Sequence, residues 1–178
     1  MENIQNVTPV QVNEESNLNE YALNKVQNFI DKIADKLAQK AGRDIIKEYH
    51  SENEDADICR VTVLCYFTDD ITKVVRQLEE KKKWKILESK NYIDAPKKNG
   101  YRGYMLKIGI PVENRKNETA VIIVQIHTIG MEYWLEMESQ ITEGKVKKKD
   151  KLKSYSEHII QMEEELLKLR KKIDFGGR

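Results

Sequence analysis

Residues 58–71 read ICRVTVLCYFTDDI. The first ten are β-branched, aromatic or apolar with few exceptions, which is the composition of a mostly buried central strand. Asp69 and Asp70 then suit the N-terminus of a helix, because its macrodipole favours negative charge there. Ile71, Val74, Val75 and Leu78 give that helix an apolar stripe. A strand passing directly into a helix begins an α/β pattern.

Upstream, Tyr21, Ala22, Val26, Phe29, Ile30, Ile33, Ala34 and Leu37 recur at steps of three and four and predict an amphipathic helix from Leu18 to about Gly42. Asn17 and Glu20 stand at the spacing of a capping pair before it. Residues 1–16 are polar and unpatterned and are expected as a flexible arm.

Downstream, residues 84–87 predict a short strand, and residues 89–101, SKNYIDAPKKNGY, a polar loop. Two strands over about 102–112 and 119–127, joined by a short polar turn, should pair as an antiparallel hairpin. A helix follows from Thr128 to about Gly144, then a charged link over 145–150 and a last helix running toward Gly176. In it Leu152, Tyr155, Ile159, Met162, Leu166, Leu169 and Ile173 step by three and four as a heptad stripe. Such a stripe serves either as an intersubunit seam or as a surface packed on the domain's own sheet. Three heptads are near the minimum for a coiled coil, which favours packing. As a parallel seam it would match His158 with Glu163, and Glu165 with Arg170, across the pair.

The expected architecture is therefore α+β: a mixed sheet of four or five strands flanked by helices, with a domain over 17–149 and a C-terminal helix over 150–178 for packing or oligomerisation. At 178 residues and 39% hydrophobic content the chain can bury one real core. Its 31 basic and 30 acidic residues nearly cancel, so no nucleic acid or anionic membrane partner is expected. The two cysteines, Cys59 and Cys65, sit in one apolar run and read as buried thiols in a reducing compartment. No run approaches the roughly 18 apolar residues of a membrane span, and the N-terminal residues lack a signal-peptide core. The protein is expected to be cytoplasmic.

The most chemically loaded stretch is Pro96-Lys97-Lys98-Asn99-Gly100-Tyr101-Arg102, which gathers cations, an amide, a flexible glycine and an aromatic ring. Such a set suits a nucleotide, with the cations on phosphates and the ring on a base. A solvated lysine turn is the plain alternative. Glycine-rich phosphate loops and CxxC pairs are absent, and His50, His127 and His158 have no companion at metal-ligand spacing.

Three segments in order resemble the synthetase domain of the RelA/SpoT alarmone family, over about residues 50–145. Residues 55–61, DADICRV, are similar to the family's D-I-x-G-x-R-V. Residues 91–102, NYIDAPKKNGYR, resemble D-Y-I-x-x-P-K-x-N-G-Y-R. Residues 124–134, VQIHTIGMEYW, fall on E-x-Q-I-R-T-x-x-M-x-x-W from its second position. The resemblance implies a nucleotidyltransferase-like fold and the chemistry of the stringent response, in which a GTP pyrophosphokinase moves pyrophosphate from ATP to the 3′-hydroxyl of GDP or GTP. Carried over, Tyr101 would stack on the acceptor guanine and Lys97 and Asn99 would contact the same nucleotide. Arg60 would lie near the phosphates, Asp55 would hold Mg²⁺, and Arg102, Gln125 and His127 would complete the nucleotide site.

The departures are specific. The family's catalytic glutamate falls on Ile123, so no catalytic base is assigned. His127 replaces an arginine, Met105 a histidine, Asn91 an aspartate and Ile58 a glycine. Only Arg43 and Lys47 are candidates for the basic ATP loop. The expectation is a guanine-nucleotide-binding domain with reduced or lost transfer activity; the other reading is a noncatalytic regulatory or assembly module acting through the last helix.

Overall fold

A computed structural model of the chain describes residues 9–52, 59–113, 115, 117–142 and 151–176. The elements are α1 (Pro9–Ala41), β1 (Ile46–Glu52), β2 (Cys59–Cys65), α2 (Thr68–Glu79), β3 (Lys85–Asn91), β4 (Tyr104–Pro111), β5 (Thr119–Thr128), α3 (Ile129–Thr142) and α4 (Leu152–Gly176). The five strands lie in the order β1-β2-β5-β4-β3, with β2 and β5 parallel and every other pair antiparallel. This is the mixed sheet expected from sequence, with β4 and β5 paired as a hairpin.

Three boundaries differ from the sequence reading. The first helix begins at Pro9, so residues 9–16 continue it rather than form a loose arm, and positions 17 and 20 are interior to it instead of capping it. Strand β1, IKEYHSE, was not anticipated; it is an edge strand whose only neighbour is β2, and edge strands carry charge where central ones carry Val and Ile. The strand foreseen at 84–87 runs on to Asn91 at the opposite edge, also with an exposed, charged sequence.

One face of the sheet is dry. Ala22, Val26, Ile30, Ile33 and Leu37 of α1 and Ile71, Val74, Val75 and Leu78 of α2 pack on Val61, Val63, Leu106, Ile108, Ile122, Val124 and Ile126. Because side chains alternate along a strand, the odd-numbered residues of β4 and β5 and the even-numbered ones of β2 occupy the other face. A second cluster, Tyr101, Met131, Trp134, Ile141 and Leu152, holds α3 and α4 together, and the Trp134 indole N–H donates to the Leu152 carbonyl at 2.8 Å. Both cysteines are free and buried, and burial pushes the Cys65 thiol far up. Among the described residues, no helix is long and apolar enough to cross a membrane.

Candidate nucleotide site

The second face of the sheet carries the motif residues in rows fixed by strand register. Arg60, Ile123 and Lys107 are direct Cα partners, so their side chains stand abreast, with Glu88, the register partner of Lys107, at one end of the row. The next row is His50, Thr62, Gln125, Met105 and Lys90. Ile123 is half-buried on this face and has no carboxylate beside it in register, only two cationic residues.

At the C-terminal end of β5 a polar chain is closed. The Gln125 side-chain amide donates to the Tyr101 hydroxyl at 3.0 Å. That hydroxyl lies 3.3 Å from His127 Nδ1, and His127 Nε2 lies 2.5 Å from Glu132 Oε2. The His127 contact holds the Glu132 carboxyl below the usual carboxylate range. Burial raises the Tyr101 phenol well above its ordinary value, so it stays protonated at any physiological pH.

The tyrosine itself is not presented to solvent. Tyr101 is 3% exposed, edge-on to Tyr92 at 5.8 Å and to His127 at 6.0 Å. The Lys97 ammonium sits 4.9 Å from the Tyr101 ring centroid and 4.8 Å from that of Tyr92, a cation–π position over both. A guanine stacking on Tyr101 would have to take the place of Lys97.

The loop is shaped locally. The Asn91 side-chain oxygen accepts the N–H groups of Ile93 and Asp94, while its amide donates to Asp94. Asn99 accepts the Tyr101 N–H through Oδ1 and donates to Glu138 of α3 at 2.6 Å. Gly100 has φ +104°, a region L side chains rarely adopt, and its carbonyl accepts the Ser156 hydroxyl of α4 at 2.5 Å.

Of the residues singled out from sequence, Tyr101, Gln125 and His127 meet directly, Lys97 covers the tyrosine, Asn99 ties the loop to α3, and Arg60 stands beside Ile123. Arg102 departs from that group: it donates to the Ile93 carbonyl and lines a recess of about 80 Å³ with Thr68, Thr128 and Glu163. Asp55 lies outside the described residues. Among the described residues no group of three or more His, Cys, Asp or Glu is placed to hold a metal. Sequence reading missed Lys107, whose place follows from strand alternation with Met105. It also missed Ser156 and Glu138, which no local signal marks.

The sequence pattern of a region found in RelA / SpoT proteins matches residues 26–159 of this chain. The chain belongs to the RelA/SpoT family. It is 32% identical over 161 residues to GTP pyrophosphokinase YwaC of Bacillus subtilis (strain 168), covering 87% of this chain and 75% of that protein. It is 29% identical over 140 residues to GTP pyrophosphokinase YjbM of the same strain, covering 75% of this chain and 66% of that protein. Among solved structures it is similar to small alarmone synthetase 2 of B. subtilis, with TM-score 0.76, 28% identity, and coverage of 87% of this chain and 96% of that one. Small alarmone synthetase 1 of B. subtilis, solved bound to its product pppGpp, shares the fold with TM-score 0.75 at 20% identity, over 86% of this chain and 93% of that one. The chain is thus homologous to (p)ppGpp synthetases, and its sheet flanked by helices is the fold of small alarmone synthetases.

Proposed function

We propose that this chain binds guanine nucleotide on the open face of its sheet, and that pyrophosphate transfer from ATP to the 3′-hydroxyl of GDP or GTP is reduced or lost. The observation that carries this reading is Ile123, half-buried on the site face with Arg60 and Lys107 as its register partners. A positioned general base is typically worth about 10²–10⁴-fold, and an isoleucine supplies none of it. Nearby carboxylates are engaged elsewhere: Glu132 with His127, Asp94 with Asn91, and Glu138 with Asn99.

The nucleotide residues in this reading are Lys97, Asn99 and Tyr101 for guanine and its phosphates, with Arg60, Gln125 and His127 around them, whereas Arg102 is turned to the Ile93 carbonyl and a separate recess. Any residual transfer would use Mg²⁺ at Asp55, since a hard cation takes carboxylate oxygen. The partners are GDP or GTP, with ATP as donor where transfer survives, in the cytoplasm. Incubation of the purified protein with labelled ATP, Mg²⁺ and GDP or GTP should give guanine-nucleotide binding and little or no alarmone. Robust synthesis would overturn the loss of activity.

An assembly role through α4 is a second reading, and one observation favours it. Tyr155, Met162, Leu166, Leu169 and Ile173 of the heptad stripe are all exposed, against the sequence-based preference for packing on the sheet.

A further inference from the structure

We propose that the Lys97 side chain is a latch over the base position of this site, released by the phosphates of an incoming nucleotide, so that guanine enters far more readily as a nucleotide than as the phosphate-free nucleoside. This rests on the guanine-nucleotide reading above and adds to it a rule for which guanine compounds are admitted.

The latch is made of two rings and one cation. Tyr92 and Tyr101 meet edge to face, with centroids 5.8 Å apart and planes inclined at 69°, and so form an aromatic corner. The Lys97 ammonium sits in that corner, 4.8 Å from the Tyr92 centroid and 4.9 Å from that of Tyr101. A purine stacking on the Tyr101 face needs the same space, and the two cannot share it.

The hold on the lysine is weak. Carboxylates around the loop are engaged: Asp94 accepts the Asn91 amide, Glu138 accepts that of Asn99, and Glu132 faces His127. Lys97 is exposed, and the contacts that draw its ammonium inward are the two π faces. A cation–π contact at an exposed position is weaker than charge-assisted hydrogen bonds to phosphate oxygens, so phosphate wins the ammonium.

Release needs no movement of the loop. The Lys97 N–H donates to the Tyr101 carbonyl at 3.1 Å, and the Lys97 carbonyl accepts the Gly100 N–H at 2.9 Å. Asn99 and Gly100 are tied in turn to α3 and α4. The backbone therefore stays and only the four-carbon stem turns, toward phosphates that lie one ribose away from the base. A nucleoside offers the ammonium no new partner, so its base must displace the cation unaided. A nucleotide gives the cation a better partner and gains the ring that this uncovers, which couples phosphate recognition to base recognition.

The test is calorimetric titration of the full chain with guanosine and with GDP, on wild type and Lys97→Ala, while NMR follows the Lys97 ε-methylene protons. Lys97→Ala keeps the backbone bonds of the loop, and circular dichroism checks that it is folded. In the free protein the ε-methylene should resonate upfield of the other lysines, because it lies against two rings, and GDP should return it to their position. Lys97→Ala should bind guanosine about threefold or more tightly than wild type does and GDP about threefold or more weakly, narrowing the preference for GDP about tenfold. A lysine that only contacts phosphate would instead lower GDP affinity and leave guanosine unchanged. That result, or an ε-methylene with no upfield shift in the free protein, would overturn the latch while leaving guanine recognition standing. Failure of wild type and Lys97→Ala to bind either compound would overturn both readings.

Discussion

At the residue scale, Tyr101 shows how a motif can be present and still closed. Its ring is the natural stacking surface for a base, yet its hydroxyl is fixed by Gln125 and His127 and its face is covered by Lys97. Tyr101→Phe leaves the ring and strands the two partners of the hydroxyl, so it should cost about 1–3 kcal/mol of stability by thermal melts. GDP affinity should be kept or tightened, because the ring is then easier to free. Tyr101→Ala removes the ring as well, and should weaken GDP by roughly 5–150-fold, since base–aromatic stacking is worth about 1–3 kcal/mol. Equal GDP affinity in wild type and Tyr101→Ala would dismiss the tyrosine as a guanine contact. The sequence offered the ring and the neighbouring lysine, but the closure depends on Gln125 and His127, which are distant in the chain and adjacent only once β5 has formed. Position 123 was the reverse case. Strand alternation alone put it on the same face as Gln125 and His127, and the sheet register agrees. Ile123→Glu should restore at most slight alarmone synthesis, because a base works only with its partners in place, and Met105 and His127 replace two of them. Wild-type turnover that is strong and unchanged by Ile123→Glu would remove position 123 from the reacting hydroxyl.

At the element scale, α4 does more than its heptad stripe announces. Its inward side sets Leu152, Ser156 and Glu163 against the rest of the domain, with the Ser156 hydroxyl bonded to Gly100 of the nucleotide loop. The approach to α3 is close: a Cβ added at Gly130 would stand 2.5 Å from Glu163 Oε1 and 2.7 Å from Ile159 Cγ2. Gly130→Ala should therefore cost about 1–3 kcal/mol by overpacking. Glu163 is 7% exposed, and burial raises its carboxyl above the usual carboxylate range. A carboxyl raised in the fold loses protons more readily when unfolded, so stability falls as pH climbs from the unfolded value through the folded one. Glu163→Gln should then raise the melting temperature at pH 7 and lose that advantage near pH 4. A variant less stable than wild type at pH 7 would mean that the Thr68 and Thr128 contacts of the carboxylate outweigh its burial. Periodicity put inward Leu152 and Ile159 in one stripe with residues that point away from the domain, set Glu163 in a seam instead of against Thr68, and passed over Ser156 because it is polar. Edge strand β1 escaped for the same reason: pattern reading finds buried strands, and its sequence is that of a border.

At the scale of the whole molecule, the outward side of α4 is a long apolar feature that the described residues of the single chain leave uncovered. Tyr155, Met162, Leu166, Leu169 and Ile173 are between 49% and 61% exposed, too many large apolar groups on one helix to be scattered surface residues. Their spacing is that of a coiled-coil seam, and the domain already has its core on the other side of the helix, so the stripe is free to meet a second copy. The charge pattern constrains how. Glu163 is buried against Thr68, so it cannot serve as the partner of His158 in a parallel pair, whereas Glu165 is exposed and available. Leu166→Asp places a charge in the middle of that stripe without touching the inward residues Ser156 and Glu163. Light scattering after size exclusion should show a self-associated wild type and a monomeric variant. The variant's circular dichroism and GDP binding should be unaltered, because the nucleotide loop is held by the opposite side of the helix. An unfolded variant would instead make the stripe part of the domain core, and a wild-type protein that is monomeric at high concentration would leave these apolar residues without a partner of their own kind.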